Sequence, residues 1–259
     1  VPPARALAAA AAILAAASAG ACAKPFLSLS ERLGLLTPDS VALDLWLIGD
    51  AGHPAEGGEP VLEALVKAAS ENADESLIVF LGDNVYPHGL PDSTAADHEE
   101  ARKILDAQID AVRRAGARGL FVPGNHDWDA GGPRGLEFIR RQERYVRERG
   151  GDRVDFLPRN GCPGPVKVDL DGHVRLLALD TQWWLQSADK PMGDEAPCGA
   201  STEEEVVDSI NHYLGTAGDR HTVVVGHHPL VSGGIHGGYF DWYAYLFPFY
   251  PWARQSGFA

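Results

Sequence analysis

Four short polar clusters end apolar runs along the chain: Ile48-Gly49-Asp50-Ala51-Gly52, Gly82-Asp83-Asn84-Val85-Tyr86, Gly124-Asn125-His126-Asp127 and Gly226-His227-His228-Pro229. Asp50 and Asp83 offer carboxylates, Asn125 a neutral carbonyl oxygen and His227 an imidazole. That mixture of oxygen and nitrogen donors suits hard or borderline cations. A carboxylate standing between two cations bridges them. Tyr86, shortly after Asp83, adds a phenol that a trivalent iron would ionise. Singly, each fragment has an ordinary reading: a Gly-Asp pair is a turn, and an Asn-His pair is a loop or a cap. Four in order, each closing an apolar run, are not explained by turns alone.

The elements that must carry these clusters are legible as alternating strands and helices. Apolar runs at Val41–Ile48, Leu77–Leu81, Gly119–Val122, Val174–Leu179 and Thr222–Val225 have strand character and end at turn residues. Helical periodicity marks Pro60–Ala69, Asp97–Ala115 with Gly116 as its stop, the charged stretch Leu136–Arg149 read as a surface helix, and Thr202–Leu214 with Glu203, Glu204 and Glu205 at its start. Such alternation predicts an α/β domain. In open α/β sheets, ligand groups gather beyond the carboxyl ends of strands, where all four clusters fall. Loops at 129–135, 158–165 and 187–199 read as surface excursions.

With 259 residues, of which 45% are hydrophobic, the chain has material for one good core. Its formal charge of −14 predicts no nucleic-acid-binding surface, although bound cations would reverse the local field where a phosphate docks.

Residues 1–22 read as a leader: Arg5, an Ala-rich apolar stretch from Leu7 to Ala19, then Ala19-Gly20-Ala21 before Cys22. This resembles a lipoprotein processing site. It predicts an exported protein, periplasmic or in the cell envelope, with a lipid anchor on Cys22 or ordinary signal cleavage nearby. Residues 23–40 read as a linker and 41–259 as the domain. Export leaves Cys162 and Cys198 as an even pair in an oxidising compartment, predicting a disulfide between them.

Taken together, the four clusters resemble those of the calcineurin-like metallophosphoesterases. Asp50-Ala51-Gly52 with Gly82-Asp83-Asn84-Val85-Tyr86 resembles their purple acid phosphatase branch. Many family members carry His where Gly52 stands; here a ligand lost at one place is supplied by Tyr86 at another. The resemblance spans Asp50 to His236 and implies an α/β/β/α sandwich with its metal site at the strand ends. It implies hydrolysis of a phosphate-ester small molecule on a dinuclear centre, Fe3+ paired with Fe2+, Zn2+ or Mn2+. Asp50 and Tyr86 would hold the first metal, Asp83 would bridge, and Asn125 and His227 would hold the second. His126 would contact the phosphate and protonate the leaving alkoxide as metal-activated hydroxide attacks phosphorus. The fourth motif, His followed by any residue and Pro, selects His227 over His228, whose side chain points away if the backbone there is extended. His236, in Gly233-Gly234-Ile235-His236-Gly237-Gly238, resembles a substrate-side histidine of the small mammalian-type acid phosphatases and is the second catalytic candidate. The family pattern also has a final Gly-His-x-His. None follows His227, so the domain is expected to be C-terminally incomplete.

Other residues carry weaker readings. His53 and His88 are loop histidines near the first two clusters, Asp180 ends a strand as support or a turn, and Trp183-Trp184 read as packing. The aromatic run from Tyr239 to Trp252 calls for a covering surface or an absent partner segment. Two rival functions remain: a non-catalytic scaffold or binding module that keeps the fold, and a single-zinc hydrolase built on His227, His236 and a carboxylate. The second lacks a His-Glu-x-x-His motif and leaves Asp50, Asp83 and Asn125 unexplained.

Overall fold

A computed structural model describes residues 42–54, 58–170 and 172–231. The expected leader, linker, Cys22, His236 and the aromatic run lie outside the described residues. Among those described, no helix is long and apolar enough to cross a membrane.

Parallel pairing brings the first four strands side by side in chain order: β1 (Asp44–Ile48), β2 (Ser76–Phe80), β3 (Arg118–Phe121) and β4 (Val154–Phe156). The crossovers are helical, namely α1 (Pro60–Ala69), α2 (His98–Ala115) and α3 (Gly135–Gly150). A second sheet has the order β5 (Val166–Asp169), β6 (Val174–Ala178), β7 (His221–Val225). There β5 runs antiparallel and β7 parallel to β6. A short helix, α4 (Gln182–Leu185), and α5 (Glu203–Gly215) lie between β6 and β7 in the chain.

All five residues of β2 are buried, and the two-residue period of the strand divides them between two cores. Ile78 and Phe80 face the helices, joining Phe121, Phe156, Leu105, Ile109, Val112, Leu62 and Ile139. Leu77 and Val79 face the second sheet, packing with Leu120, Val122, Leu176, Ala178 and Val225. Helices, first sheet and second sheet are therefore successive layers, and this α/β arrangement is the one expected. Arg175 of β6, itself buried, donates to the carbonyl of Tyr213 and tethers α5 to the second sheet.

Differences from the expected elements have local causes. β4 and β5 are not among the expected strands because three or four residues, VDF and VKVD, are too short to show an apolar run. Helix α4, only four residues long, is not among the expected helices either. Charged α3 does lie at the surface, yet it buries Leu136, Phe138, Ile139, Gln142, Glu143 and Val146 along one face. α5 starts at a capping box, Thr202 accepting from the Glu205 amide and Glu205 reaching back to the Thr202 amide. Helix α2 stops at Gly116, whose φ of 71° is left-handed. Cys162 and Cys198 form the expected disulfide.

Candidate metal centre

The carboxyl ends of β1, β2 and β3 and the segment after β7 converge. β1 is followed by Gly49-Asp50 and β2 by Leu81-Gly82-Asp83, and both aspartates adopt left-handed backbone, φ 57° at Asp50 and 53° at Asp83. For a residue with a side chain that conformation costs about 1–2 kcal/mol, and Asp tolerates it better than most. Gly82 takes a φ of 93°, but at the first motif the aspartate itself turns the chain. The two loops are then laced together: the Asp50 amide donates to the Gly82 carbonyl, the Gly52 amide to that of Asp83, and the Tyr86 amide to that of Gly52.

Gly52 has a steric reason to be glycine. A Cβ there would stand 2.4 Å from the Val85 nitrogen and 2.5 Å from the Asn84 carbonyl carbon. Without backbone movement, the position where many family members carry His has no room for any side chain. Tyr86 enters the cluster instead, with its oxygen 2.8 Å from Asp50 Oδ1 and 2.8 Å from Asp83 Oδ2. One phenolic proton cannot satisfy both carboxylates at once.

From the other side, His227 donates from Nδ1 to the Leu81 carbonyl at 2.9 Å, which turns Nε2 toward the cluster. Nε2 stands 3.1 Å from Asn125 Oδ1 and 3.4 Å from Asp83 Oδ2. The His126 amide donates to Asp83 Oδ1 at 2.9 Å. The His126 ring lies against Tyr86, centroids 4.2 Å apart, with Nδ1 donating to the Pro87 carbonyl and Nε2 4.0 Å from Asp83 Oδ2. Asp50, Asp83, Tyr86, Asn125, His126 and His227 are thus brought together. Ligand atoms of Asp50, Asp83 and His227 all lie within 4.8 Å of one another, a set able to coordinate a metal ion.

The electrostatics favour a cation. Burial works to raise the Asp83 carboxyl, but the hydrogen bond and charge of His227, the His126 amide and the Tyr86 hydroxyl outweigh it and hold Asp83 below the usual carboxylate value. Burial likewise opposes charge on His227, yet Asp83 and the Leu81 carbonyl push that imidazole up to about 9. Tyr86 is driven well above the usual phenol value by burial and by its two carboxylate neighbours. Excess acceptors thus hold protons on two groups that release them earlier in water. A multivalent ion satisfies the same acceptors, and the Nδ1 contact to Leu81 is the kind that orients a metal-binding imidazole.

The remaining candidates lie around this cluster. His228 does not follow an extended backbone: the chain bends, and its ring stands edge-on to His227 with centroids 4.9 Å apart. Its amide donates to Thr181 Oγ1, whose hydroxyl contacts its Nδ1 at 2.8 Å. The two histidines diverge to different anchors, although not by strand alternation. His53 is exposed, its ring edge-on to Tyr86 at 6.1 Å, and half-exposed His88 pairs with Asp129 at 3.5 Å. Asp180 is wholly buried and accepts from Trp128 Nε1 at 2.8 Å and the Trp183 amide at 3.2 Å. Trp183 is core, with Trp184 packed edge-on against it. Clefts of about 520 and 580 Å3 run along β4 and β5, and none of their lining residues belongs to the cluster.

Sequence reasoning missed the residues behind the cluster. Asp127 is completely buried and accepts from the amides of Asn84 and Gly124, from Asn84 Nδ2 and from Gln142 Nε2. Burial, opposed by the Gln142 bond and aided by the charge of Asp83, pushes it up to about 6. Gln108 and Gln142 are both fully buried. One signal pointed to them: each glutamine interrupts the apolar face of its helix, Gln108 beside Leu105, Ile109 and Val112, and Gln142 between Ile139 and Val146.

The chain matches the calcineurin-like phosphoesterase family over residues 43–251 and belongs to that family. Among curated proteins, none matches it.

Proposed function

We propose that the protein is a phosphoric ester hydrolase working with a dinuclear metal centre of the purple acid phosphatase kind. The observation that carries this reading is the Tyr86 oxygen placed equally close to Asp50 and Asp83, with His227 Nε2 within 3.4 Å of the same Asp83 oxygen and 3.1 Å from Asn125 Oδ1. Asp50 and Tyr86 would hold one ion, Fe3+ suiting the phenol; Asn125 and His227 would hold the other, Fe2+, Zn2+ or Mn2+; Asp83 would contact both. Bound there, the ions would lower the pKa of water to give a nucleophile near neutral pH and offset charge on the phosphoryl oxygens.

The protein's own groups do the rest. Hydrolysis forms one P–O bond to the incoming oxygen and breaks the ester P–O bond, and the departing alkoxide needs a proton. His126 would give it. With Nδ1–H committed to the Pro87 carbonyl, Nε2 is the nitrogen facing the cluster, and it donates when the ring is an imidazolium. The Tyr86 ring packs against this imidazole at a 45° tilt. The Cys162–Cys198 bond supports the reading of an exported protein, since such bonds persist in oxidising compartments.

The test is metal content together with p-nitrophenyl phosphate hydrolysis in the wild type and in Asp83→Asn. The wild type should hold close to two ions per chain, and the variant should lose both ions and about a hundredfold or more in rate. A variant with two ions and full activity would sink the assignment, as would a wild type that takes up no metal.

A further inference from the structure

Two buried glutamines, one on each of the neighbouring helices α2 and α3, are the places where those helices grip the loops bearing the candidate ligands. Gln108 of α2 donates from its single amide nitrogen to the Asn84 carbonyl at 2.7 Å and the Ala51 carbonyl at 3.4 Å. It thereby spans the loop that begins with Asp50 and the loop that begins with Asp83. Gln142 of α3 does the same for the next pair. Its Oε1 accepts from the Leu90 amide at 3.1 Å, and its Nε2 donates to Asp127 Oδ1 at 2.8 Å. Asp127 in turn holds the Asn84 and Gly124 amides, so Gln142 joins the Tyr86 loop to the Asn125–His126 loop.

Helix packing alone does not call for an amide at either position. Both side chains sit on apolar faces, and Gln108 Oε1 is buried with no hydrogen-bond partner among the described residues. An unpartnered buried oxygen makes the position poorer for stability than a matched apolar side chain. What each glutamine supplies is side-chain hydrogen bonding to the ligand loops, added to the backbone bonds that lace the Asp50 and Asp83 loops together. The spacing between Asp50, Asp83, Tyr86 and Asn125 depends on how these three loops sit against one another, since the strands end before them.

We propose that Gln108 and Gln142 are positioning residues for the cation site: acting through backbone carbonyls, the Leu90 amide and Asp127, they set the separation of the ligand loops and hence metal affinity. This rests on reading the cluster as a cation site. Groups that orient ligands in this way commonly change metal affinity by about 10–100-fold when removed.

The experiment uses the full chain stripped of metal by chelation and titrated with Mn2+ by calorimetry, with thermal melts of the stripped protein alongside. Gln108→Met and Gln142→Met keep length and volume but cannot donate, and each should bind Mn2+ about tenfold or more weakly. A role in stability alone would lower the melting temperature of the stripped variants and leave Mn2+ affinity within about twofold of wild type, and that result overturns the proposal. Should one Met variant fail to fold, the other carries the test alone. A wild type that binds no Mn2+ defeats the cation-site reading itself, whereas equal binding by wild type and variants defeats only the positioning role.

Discussion

The phenol oxygen of Tyr86 stands 2.8 Å from Oδ1 of Asp50, 36 positions earlier in the chain. This contact joins the β1 and β2 loops where no strand pairing remains. Removing it with Tyr86→Phe keeps the ring against His126 and deletes one donor atom. Metal affinity should fall about 10–100-fold. The ferric-loaded wild type should show a visible phenolate-to-iron absorption band that the variant lacks. Metal titration and an absorption spectrum check both.

Gly52 is closed to side chains by the backbone of Asn84 and Val85. Gly52→Ala should therefore destabilise the protein by about 1–3 kcal/mol through overpacking. It should also lower metal content, because relief of the clash displaces the loop that carries Asp83 and Tyr86. A denaturant melt and metal analysis on the same preparation test the two effects.

Asp180 makes stability depend on pH. Burial pushes its carboxyl from 3.8 up to about 8, against the hydrogen bonds from Trp128, Trp183 and Gln182. The folded-state value is raised, so between 3.8 and about 8 the folded chain keeps a proton that the unfolded chain has released. The folded state thus binds more protons across that window, and stability falls as pH rises through it, by at most about 1.4 kcal/mol per unit from this group. Below the window the contribution is flat. Urea unfolding of metal-stripped protein at several pH values should show this decline, and Asp180→Asn should reduce its slope.

The Cys162–Cys198 bond closes a segment of 36 positions that contains β5, β6 and α4. Constraint of the unfolded chain over a loop of that length is worth about 3–4 kcal/mol. The double variant Cys162→Ala/Cys198→Ala should lose that much in denaturant unfolding. Metal binding should persist, because none of the candidate ligands lies in the bridged segment.

Much of the candidate site was legible because strand endings are local events. An apolar run followed by Gly-Asp can be recognised from a few residues, and so Asp50 and Asp83 were found together with the strands that carry them. Tyr86 and Asn125 sit close behind such endings and were found for the same reason. β4 and β5 were not found, since a strand of three or four residues owes its existence to the neighbour it pairs with. Asp127 and the two glutamines were passed over because polar residues ordinarily face water, and their burial depends on what packs over them.

By itself the sequence determined the set of donor atoms, their order, and their placement past the ends of strands, since residue type and near-neighbour pattern are written in the chain. It also determined the even cysteine pair. Only the tertiary structure decided that one phenol lies between two carboxylates, that Gly52 has no room for a side chain, and that His227 meets Asp83 through Nε2. These outcomes depend on distances between segments far apart in the chain. Layer packing and strand register set those distances, and buried amides such as Gln108 and Gln142 hold the loops at them.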